Sequence, residues 1–385
     1  MVKNFFAFLF LLIPLQVNAL SMKEAKIAGD FIIPDSLQAF WKGLTLKEKI
    51  AQTIMVYMPN AAYISKYKFG GVLVMKSHFK DTTKLKTTIE KANKNLKIPL
   101  LVATDQEGGQ VNRLSGVSEQ FQKLPSAKKM REMQTDSLYA LSLFIGEQLK
   151  NFGINLNLAP VLDPPEDSKK KPSFMEVSER SFGKQETAKE KVQAFAEGMK
   201  AFGILCTSKH FPGYDSWTNS DNQIAISTTP KGSVKKNASF FTSMEAYIPV
   251  IMMSSVRFVR YSNKPAVFDS QITNLVRENS PYAVLLTDDL WGVSLRSWIS
   301  GKDRVRGKSY PAKDFKKLIR SVLLAGNDMF MITYPKKAVE MIRYMEFLGK
   351  TNPVYREKIE QAAARIIRLK YLNHIWKNAD SVVKD

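Results

Sequence analysis

Short apolar segments recur along the chain and are separated by longer stretches with helical periodicity. Eight of these segments predict buried strands, at 50–56, 72–75, 100–104, 154–159, 204–207, 249–253, 283–287 and 329–333. Between them, apolar residues repeat every three or four positions, as in Leu138, Leu141, Ile145 and Leu149. This alternation predicts an α/β fold with a parallel sheet, and eight units favour a closed (β/α)8 TIM-type barrel over an open doubly wound sheet.

The ends of two predicted helices carry nearly the same junction, KNFGI at 150–154 and KAFGI at 200–204. The glycine in each junction, Gly153 or Gly203, can adopt the left-handed conformation that ends a helix, so each junction leads into a strand. At the other end of a helix, Thr45-Leu46-Lys47-Glu48 has the pattern of a capping box, which predicts the start of the helix before the first strand.

The first nineteen residues have the pattern of a secretory signal peptide. A lysine precedes an apolar run at 5–15, and the segment ends in Val17-Asn18-Ala19, small or β-branched residues of the kind that signal peptidase requires. Pro14 interrupts the run, which is also short for a bilayer span, so an uncleaved anchor is the weaker alternative. We therefore expect an exported protein, periplasmic or secreted, with no membrane span after cleavage at residue 19.

The remainder, 20–385, contains no linker-like or low-complexity tract. It is expected to be one barrel domain with a core at about 45–372. An amphipathic helix at 354–372 follows the eighth strand and is expected to pack on the outside of the barrel.

The formal net charge is +21, and lysines recur in patches such as 169–171. A strongly basic exported protein suggests an anionic polymer as a partner, while a solvated basic surface explains the charge equally well. The lone cysteine, Cys206, cannot form an internal disulfide.

In such a barrel, chemistry gathers at the carboxyl ends of the strands. The polar residues that follow the predicted strands are Asp105, Glu107 and Arg113 after the third, Asp163 and Arg180 after the fourth, Lys209 and His210 after the fifth, and Asp288 and Asp289 after the seventh. Any single one of them could only cap a helix or form a salt bridge, but the set as a whole indicates a site.

The residue inventory excludes several kinds of site. With three histidines in the chain, His78, His210 and His374, a multi-histidine metal centre is not expected, and we expect no metal or cofactor. Serine-hydrolase elbows, phosphate loops and dinucleotide fingerprints are also absent from the sequence. Carboxylate chemistry on a hydroxylated substrate remains, and glycoside hydrolysis is the leading case, with no nucleic acid as an expected partner.

The strand-end motifs resemble those of glycoside hydrolase family 3, in its single-barrel branch of bacterial β-N-acetylhexosaminidases. The matching stretches occur in order along almost the whole mature chain: LTLKEKIAQTIMV, FGGVLVM, LLVATDQEGGQVNRLSG, LNLAPVLD, ERSFG, KHFPG, LLTDDL and AAARIIRLKYL. The resemblance implies a retaining glycosidase whose substrate is an amino-sugar glycan of the cell envelope, as in peptidoglycan turnover.

The resemblance also assigns roles to particular positions. It implies that Asp288 is the nucleophile that forms a covalent glycosyl-enzyme. By the same resemblance, the residues that bind the sugar are Asp105, Arg113, Arg180, Lys209 and His210. Asp289 is interpreted as a supporting residue rather than a catalyst.

The sequence departs from this branch in the loop after Lys-His-Phe-Pro-Gly, where relatives carry His-Gly and then an Asp-x-His dyad whose histidine is the general acid and base. Here Tyr214-Asp215 and Ser220-Asp221-Asn222-Gln223 occupy the loop, and no histidine follows His210 within it. After the sixth strand, where relatives often carry a second histidine, the chain has Ser254-Ser255.

Three interpretations remain open. Asp221, or less favourably Asp215, takes the acid/base role, which requires a carboxyl pKa raised by burial or by a neighbouring carboxylate. Alternatively, the enzyme cleaves only substrates with good leaving groups or transfers the sugar to another acceptor. In the third interpretation the protein is a catalytically impaired member of the family that binds envelope glycans or polyanions.

Overall fold

A nearly continuous ring of parallel strands forms the centre of the computed structural model, which describes residues 20–303, 305 and 310–376. The strands are β1 Ile54–Tyr57, β2 Gly71–Leu73, β3 Leu101–Thr104, β4 Leu156–Asn157, β5 Leu205–Phe211, β6 Val250–Met253, β7 Val284–Thr287 and β8 Phe330–Ile332. From β1 to β7, consecutive strands pair in the order of the chain. The last strand, β8, pairs with β1. A parallel bridge from Leu286 to Met329 joins β7 to β8 and closes the ring. The predicted eight-stranded barrel is confirmed.

Helices alternate with these strands and cover the outside of the barrel. The α-helices of the described residues are Met22–Ile27, Gln38–Gly43, Leu46–Gln52, Ala61–Tyr67, Thr82–Lys94, Glu119–Gln122, Ala127–Glu132, Thr135–Asn151, Phe174–Val177, Gln185–Lys200, Lys231–Ser243, Ser270–Arg277, Val293–Ser300, Ala312–Ala325, Pro335–Thr351 and Pro353–Leu372. Short 3-10 helices lie at Asp35–Leu37, Lys76–Lys80, Arg113–Gly116 and Ala266–Phe268. Two small strand pairs lie outside the barrel, Gln106–Gly108 with Val111–Asn112 and Ile226–Ser227 with Arg257–Phe258.

The local signals in the sequence explain where several elements begin and end. The capping box is present: Thr45 accepts from the backbone N–H of Glu48, whose side chain accepts from the backbone N–H of Thr45. Gly153 and Gly203 have φ values of 79° and 71°, the left-handed conformation that was predicted for them. The predicted start of the first strand at residue 50 was wrong, because the helix opened by Thr45 continues to Gln52.

The last helix, Pro353–Leu372, closes one end of the barrel. Its Ile366 and Leu369 join the cluster of strand side chains that fills the barrel interior. Next to them, the Nζ of Lys370 donates to Oε1 of Gln52 at 2.8 Å and to the carbonyl of Gly70 at 2.7 Å, immediately before β1 and β2 begin. The helix was expected to pack on the outside of the barrel. The structure shows that it also packs across the N-terminal end of the strands. Its position leaves the opposite end, where the strands finish, as the open mouth.

None of the helices in the described part of the chain is both long and apolar enough to cross a membrane. The predicted signal peptide at 1–19 lies outside the described residues.

Candidate active site

A buried lysine joins the ends of β3 and β5 at the mouth of the barrel. The Nζ of Lys209 lies 3.0 Å from Oδ1 of Asp105 and 2.6 Å from Oε1 of Glu107. The short hairpin that begins at Gln106 places these two carboxylates, since the backbone of Gln106 exchanges hydrogen bonds of 2.9 and 3.0 Å with the side chain of Asn157 at the end of β4. Lys209 therefore forms the strand-end salt bridge that was one of its two possible roles.

Two arginines complete this charged cluster. Arg180 donates from Nε and Nη2 to the two carboxylate oxygens of Glu107, at 2.8 and 2.9 Å, and Nη2 of Arg113 lies 3.2 Å from Oδ2 of Asp105. Burial alone would raise the pKa of both carboxyls, but Arg180 and Lys209 outweigh it at Glu107 and hold its pKa far below the ordinary value. At Asp105, Lys209 and Arg113 likewise lower the pKa. The floor of the mouth is thus a set of fixed charges with donors and acceptors for a polar ligand.

His210 is held by a second buried carboxylate. Asp163, at the end of the extended segment after β4, accepts from the backbone N–H of His210 at 2.8 Å and pairs with its Nδ1 at 2.6 Å. The backbone N–H of Tyr214 donates to the same carboxylate at 2.6 Å. Since Nδ1 is engaged, Nε2 is the ring nitrogen that remains for a substrate hydroxyl.

Asp288 follows β7 and is half-buried. The hydroxyl of Ser255, after β6, donates to its Oδ2 at 3.2 Å, and the backbone N–H of Asp289 donates to its Oδ1 at 2.7 Å. Asp289 itself accepts from the hydroxyl of Thr333 at 2.7 Å and from two backbone N–H groups, which ties the end of β7 to the end of β8. These contacts hold the carboxylate of Asp289 between the two strand ends.

Asp221 lies in the loop between β5 and the helix that begins at Lys231, where the residue reaches solvent. Protein atoms that crowd the carboxyl raise its pKa, and the negative charge of Asp288 raises it further. Arg180 and His210 act on the same carboxyl in the opposite direction. The loop therefore brings Asp221 into the electrostatic field of the nucleophile candidate and of two sugar-site candidates, as an acid/base residue requires.

Asp215, the other acid/base candidate, has different surroundings. It is buried, which raises its pKa, and its Oδ2 accepts from the hydroxyl of Thr229. It lines a cavity of about 290 Å³ together with Asp167 and Lys184, and none of the described residues that line this cavity is Asp288, Asp105, Lys209 or His210. The geometry thus favours Asp221 over Asp215 for chemistry at Asp288.

Taken together, the mouth contains a half-buried carboxylate at Asp288, a second carboxyl at Asp221 whose pKa is raised, and a floor of buried ion pairs. One carboxylate that can attack and one carboxyl that can give up a proton are the two groups that a retaining glycosidase needs. Among the described residues, no group of three or more histidine, cysteine, aspartate or glutamate side chains could hold a metal ion.

The structure also gives contacts to residues that had no role in the sequence interpretation. Glu107 and Asp163 were recognised only as strand-end acids, and Tyr214 and Ser255 only as departures from a family pattern. Each of them has a partner that lies on or after another strand of the barrel, so spacing along the chain could not reveal these contacts. The available signal was that two strand-end acids, Glu107 and Asp163, had been given no role.

Comparison with known proteins places these residues in a family. A model of the glycosyl hydrolase family 3 N-terminal domain matches residues 45–369. The β-hexosaminidase LpqI of Mycobacterium tuberculosis is 23% identical over 343 residues, which cover 85% of this chain and 83% of that protein. The β-hexosaminidase of Bordetella pertussis is 26% identical over 286 residues, covering 71% of this chain and 75% of that protein.

Solved structures share the barrel. The β-N-acetylhexosaminidase from Beutenbergia cavernae superposes with a TM-score of 0.70 at 25% identity, covering 85% of this chain and 99% of that one. The β-N-acetylglucosaminidase from Thermotoga maritima has a TM-score of 0.68 at 20% identity, covering 86% of this chain and 68% of that one. Residues 45–369, which the family model matches, include every candidate site residue from Asp105 to Asp288.

Proposed function

The chain belongs to glycosyl hydrolase family 3, and on this premise we propose that it is a retaining β-N-acetylhexosaminidase that hydrolyses amino-sugar glycans of the cell envelope through a glycosyl-enzyme on Asp288. The observation that carries the proposal is the position of Asp288, half-buried at the end of β7 with a donor on each carboxylate oxygen. Such a carboxylate is oriented for attack while it remains open to a ligand in the mouth.

In the first step, an oxygen of Asp288 bonds to the anomeric carbon as the bond to the leaving oxygen breaks. Asp221, protonated at the start, gives its proton to that leaving oxygen. In the second step, a water molecule gives a proton back to Asp221 and attacks the anomeric carbon, which releases the sugar and restores Asp288. The raised pKa of Asp221 supports this role, because the carboxyl must hold a proton before the first step.

The charged floor supports the sugar-binding role of the remaining residues. Lys209 and Arg113 fix the carboxylate of Asp105, which can accept from sugar hydroxyls. Asp163 fixes the ring of His210, and Glu107 fixes the guanidinium of Arg180. Side chains that are already held by neighbours lose little freedom when a sugar binds, so their hydrogen bonds can strengthen as charge develops at the anomeric carbon.

The amino-sugar specificity and the location rest on other observations. Relatives over most of the chain are β-hexosaminidases, and a structural neighbour is a β-N-acetylhexosaminidase. The leader-like segment at 1–19 supports export to the periplasm or beyond, where envelope glycans of the peptidoglycan type and their fragments occur.

Covalent labelling tests the proposal directly. The mature protein is incubated with 2-fluoro and 5-fluoro glycosyl reagents of several sugar configurations, and its intact mass is measured. We expect a gain of one sugar, located on Asp288 by peptide mapping, with the 5-fluoro N-acetylhexosamine reagent, which keeps the acetamido group on C2, reacting fastest. Asp288→Asn should remain unlabelled, and the absence of an adduct with every reagent would count against the nucleophile role.

A second experiment separates hydrolysis from binding. The protein is assayed on a panel of nitrophenyl glycosides and on purified peptidoglycan, with Asp288→Asn as the control. Binding of peptidoglycan that survives Asp288→Asn, without hydrolysis by the unmodified protein, would favour the alternative of an envelope polymer-binding protein. The net charge of +21 supports that alternative, for which binding must weaken steeply with salt.

A further inference from the structure

Tyr214 stands directly after the Pro-Gly turn that follows β5, and it is bonded at both ends. Its backbone N–H donates to Asp163, the carboxylate that also holds His210. Its phenol donates to the carbonyl of Thr218 and accepts from the backbone N–H of Ser220 at 2.8 Å. One residue therefore connects, through its backbone, the floor of the sugar site and, through its side chain, the part of the loop next to Asp221.

The ring of Tyr214 is buried among aromatic and polar neighbours. It is 2% exposed, and its centroid lies 6.0 Å from that of His210 and 6.4 Å from that of Phe174. On the far side of the loop, the backbone N–H of Phe174 donates to the carbonyl of Ser216 at 2.9 Å. The base of the loop is thus fixed to two other loops of the mouth.

We propose that Tyr214 is a positioning residue whose phenol fixes the 218–220 turn, so that the next residue, Asp221, presents its carboxyl to the leaving-group oxygen. The inference rests on the proposed acid/base role of Asp221 and adds to it a reason why a carboxyl on a loop can act as a specific acid. In this chain the tyrosine stands immediately before Asp215, at the place where the resemblance led us to expect His-Gly.

The alternative that Tyr214 is itself the acid does not fit the geometry. Its hydroxyl hydrogen is already donated to the carbonyl of Thr218, inside the loop. Burial also raises the pKa of the phenol, so it holds its proton throughout the pH range in which the enzyme would work. Both observations favour a structural use of this hydroxyl, through Asp221.

Positioning of this kind has a measurable value. A misplacement of about 1 Å of a catalytic group can cost on the order of 10²-fold in rate. Loss of the phenol hydroxyl leaves the backbone N–H of Ser220 and the carbonyl of Thr218 without this partner. The turn then gains freedom while the ring still fills its buried site. The effect must fall on the two steps in which Asp221 moves a proton, and in the first step it must be largest for a poor leaving group.

The test compares Tyr214→Phe with the unmodified mature protein on two N-acetylhexosaminides. One has a dinitrophenyl leaving group, which departs without help, and the other an alkyl or sugar leaving group, which needs a proton. We expect kcat/KM, which reports on the first step, to fall about tenfold on the second substrate and to change less than twofold on the first. Equal losses on both substrates, or no loss on either, would overturn the proposal.

A matched control removes a hydroxyl of the same kind elsewhere. The phenol of Tyr63 donates to the carbonyl of Pro335 at 3.4 Å, outside the loop that carries Asp221. Tyr63→Phe should leave both kcat/KM values unchanged. A leaving-group effect in this variant would show that the response of Tyr214→Phe is a general consequence of lost stability.

Hydrogen exchange gives a readout that does not depend on activity. The peptide spanning 212–229 should exchange faster in Tyr214→Phe, while peptides of β5 and β7 should not change. If Asp221→Asn itself shows no leaving-group dependence, the acid role of Asp221 fails, and the exchange data still decide whether the phenol fixes the loop. Unchanged exchange at 212–229 would overturn the positioning role on its own.

Discussion

The hydroxyl of Ser255 donates a hydrogen bond of 3.2 Å to Oδ2 of Asp288. This contact joins the ends of β6 and β7, and with the backbone N–H of Asp289 it gives each oxygen of Asp288 one donor. Ser255 occupies the position where the family resemblance led us to expect a histidine. A neutral hydroxyl there orients the nucleophile without adding a second titrating group beside it.

We expect Ser255→Ala to slow labelling of Asp288 by a fluoroglycoside about tenfold, because a hydrogen bond to a charged group is worth about 1.5 kcal/mol or more. The measurement is the rate constant of the mass increase at saturating reagent. Ser255→Thr, which keeps the hydroxyl, should retain most of the rate. Ser254→Ala is the neighbouring control, since the hydroxyl of Ser254 accepts from the backbone N–H of Val256; an equal loss in that variant would contradict the role of Ser255.

The pKa of Asp221 predicts the alkaline side of the pH profile. Crowding by protein atoms and the charge of Asp288 raise this pKa, so the carboxyl keeps its proton to a higher pH than an ordinary aspartate. Activity on a substrate with a poor leaving group should fall as pH rises through that pKa. The measurement is kcat/KM against pH, which reports on the free enzyme.

In Asp221→Asn the alkaline fall should disappear, and the remaining activity on a poor leaving group should be about 10²- to 10⁴-fold lower. A dinitrophenyl substrate should lose far less. Asp215→Asn is the matched comparison, because Asp215 lies in the same loop but lines a cavity whose lining residues do not include Asp288. If the alkaline fall disappears in Asp215→Asn and persists in Asp221→Asn, the two assignments must be exchanged.

The charged floor of the mouth should also contribute to stability. Arg180 and Lys209 hold the pKa of Glu107 below its ordinary value of 4.5, so their stabilisation is complete above that pH and is lost as pH falls towards the folded-state pKa. At pH 7, Glu107→Gln should lower the free energy of unfolding by about 3 kcal/mol, because it leaves buried cations with one carboxylate fewer.

Denaturant unfolding at several pH values checks this prediction. The difference between the unmodified protein and Glu107→Gln should begin to shrink once the pH falls below about 4.5. Glu119→Gln is the control, since Glu119 is 81% exposed and forms only a surface pair with Lys123. Equal stability of Glu107→Gln and the unmodified protein at pH 7 would contradict the prediction.

The periodicity of the sequence was sufficient to predict the barrel because each strand and helix buries its own apolar face. All eight strands were placed correctly, yet their limits were not. Residues 50–52 are apolar enough for a strand, but they belong to the helix that Thr45 opens. The strand β5 runs on to Phe211 through Lys209 and His210, because Asp105 and Glu107 pair with the lysine and Asp163 holds the histidine.

The candidate site was predictable only as a set of strand-end residues. Lys209 meets Asp105 across 104 positions of sequence, and Arg180 meets Glu107 across 73 positions. Pairings of this range depend on the order of the strands around the barrel, which local patterns do not encode. The same reason explains why the sequence left Asp215 and Asp221 as alternatives, whereas their surroundings in the fold differ.

The last prediction concerns Lys370, at the closed end of the barrel. The lysine is fully buried, and both of its acceptors, Oε1 of Gln52 and the carbonyl of Gly70, are uncharged. Burial therefore lowers its pKa well below 10.5. Between the folded-state pKa and that of the unfolded chain, the unfolded state binds one proton more, so stability must rise with pH through this range by up to about 1.4 kcal/mol per pH unit. Lys370→Met should remove this slope. In urea unfolding at pH 7, 8 and 9, the free energy of unfolding of the unmodified protein should therefore rise relative to that of Lys370→Met as the pH increases. Lys350→Met, at a lysine that is 63% exposed, should keep the slope of the unmodified protein. Parallel curves for Lys370→Met and the unmodified protein would mean that Lys370 stays charged inside the barrel end.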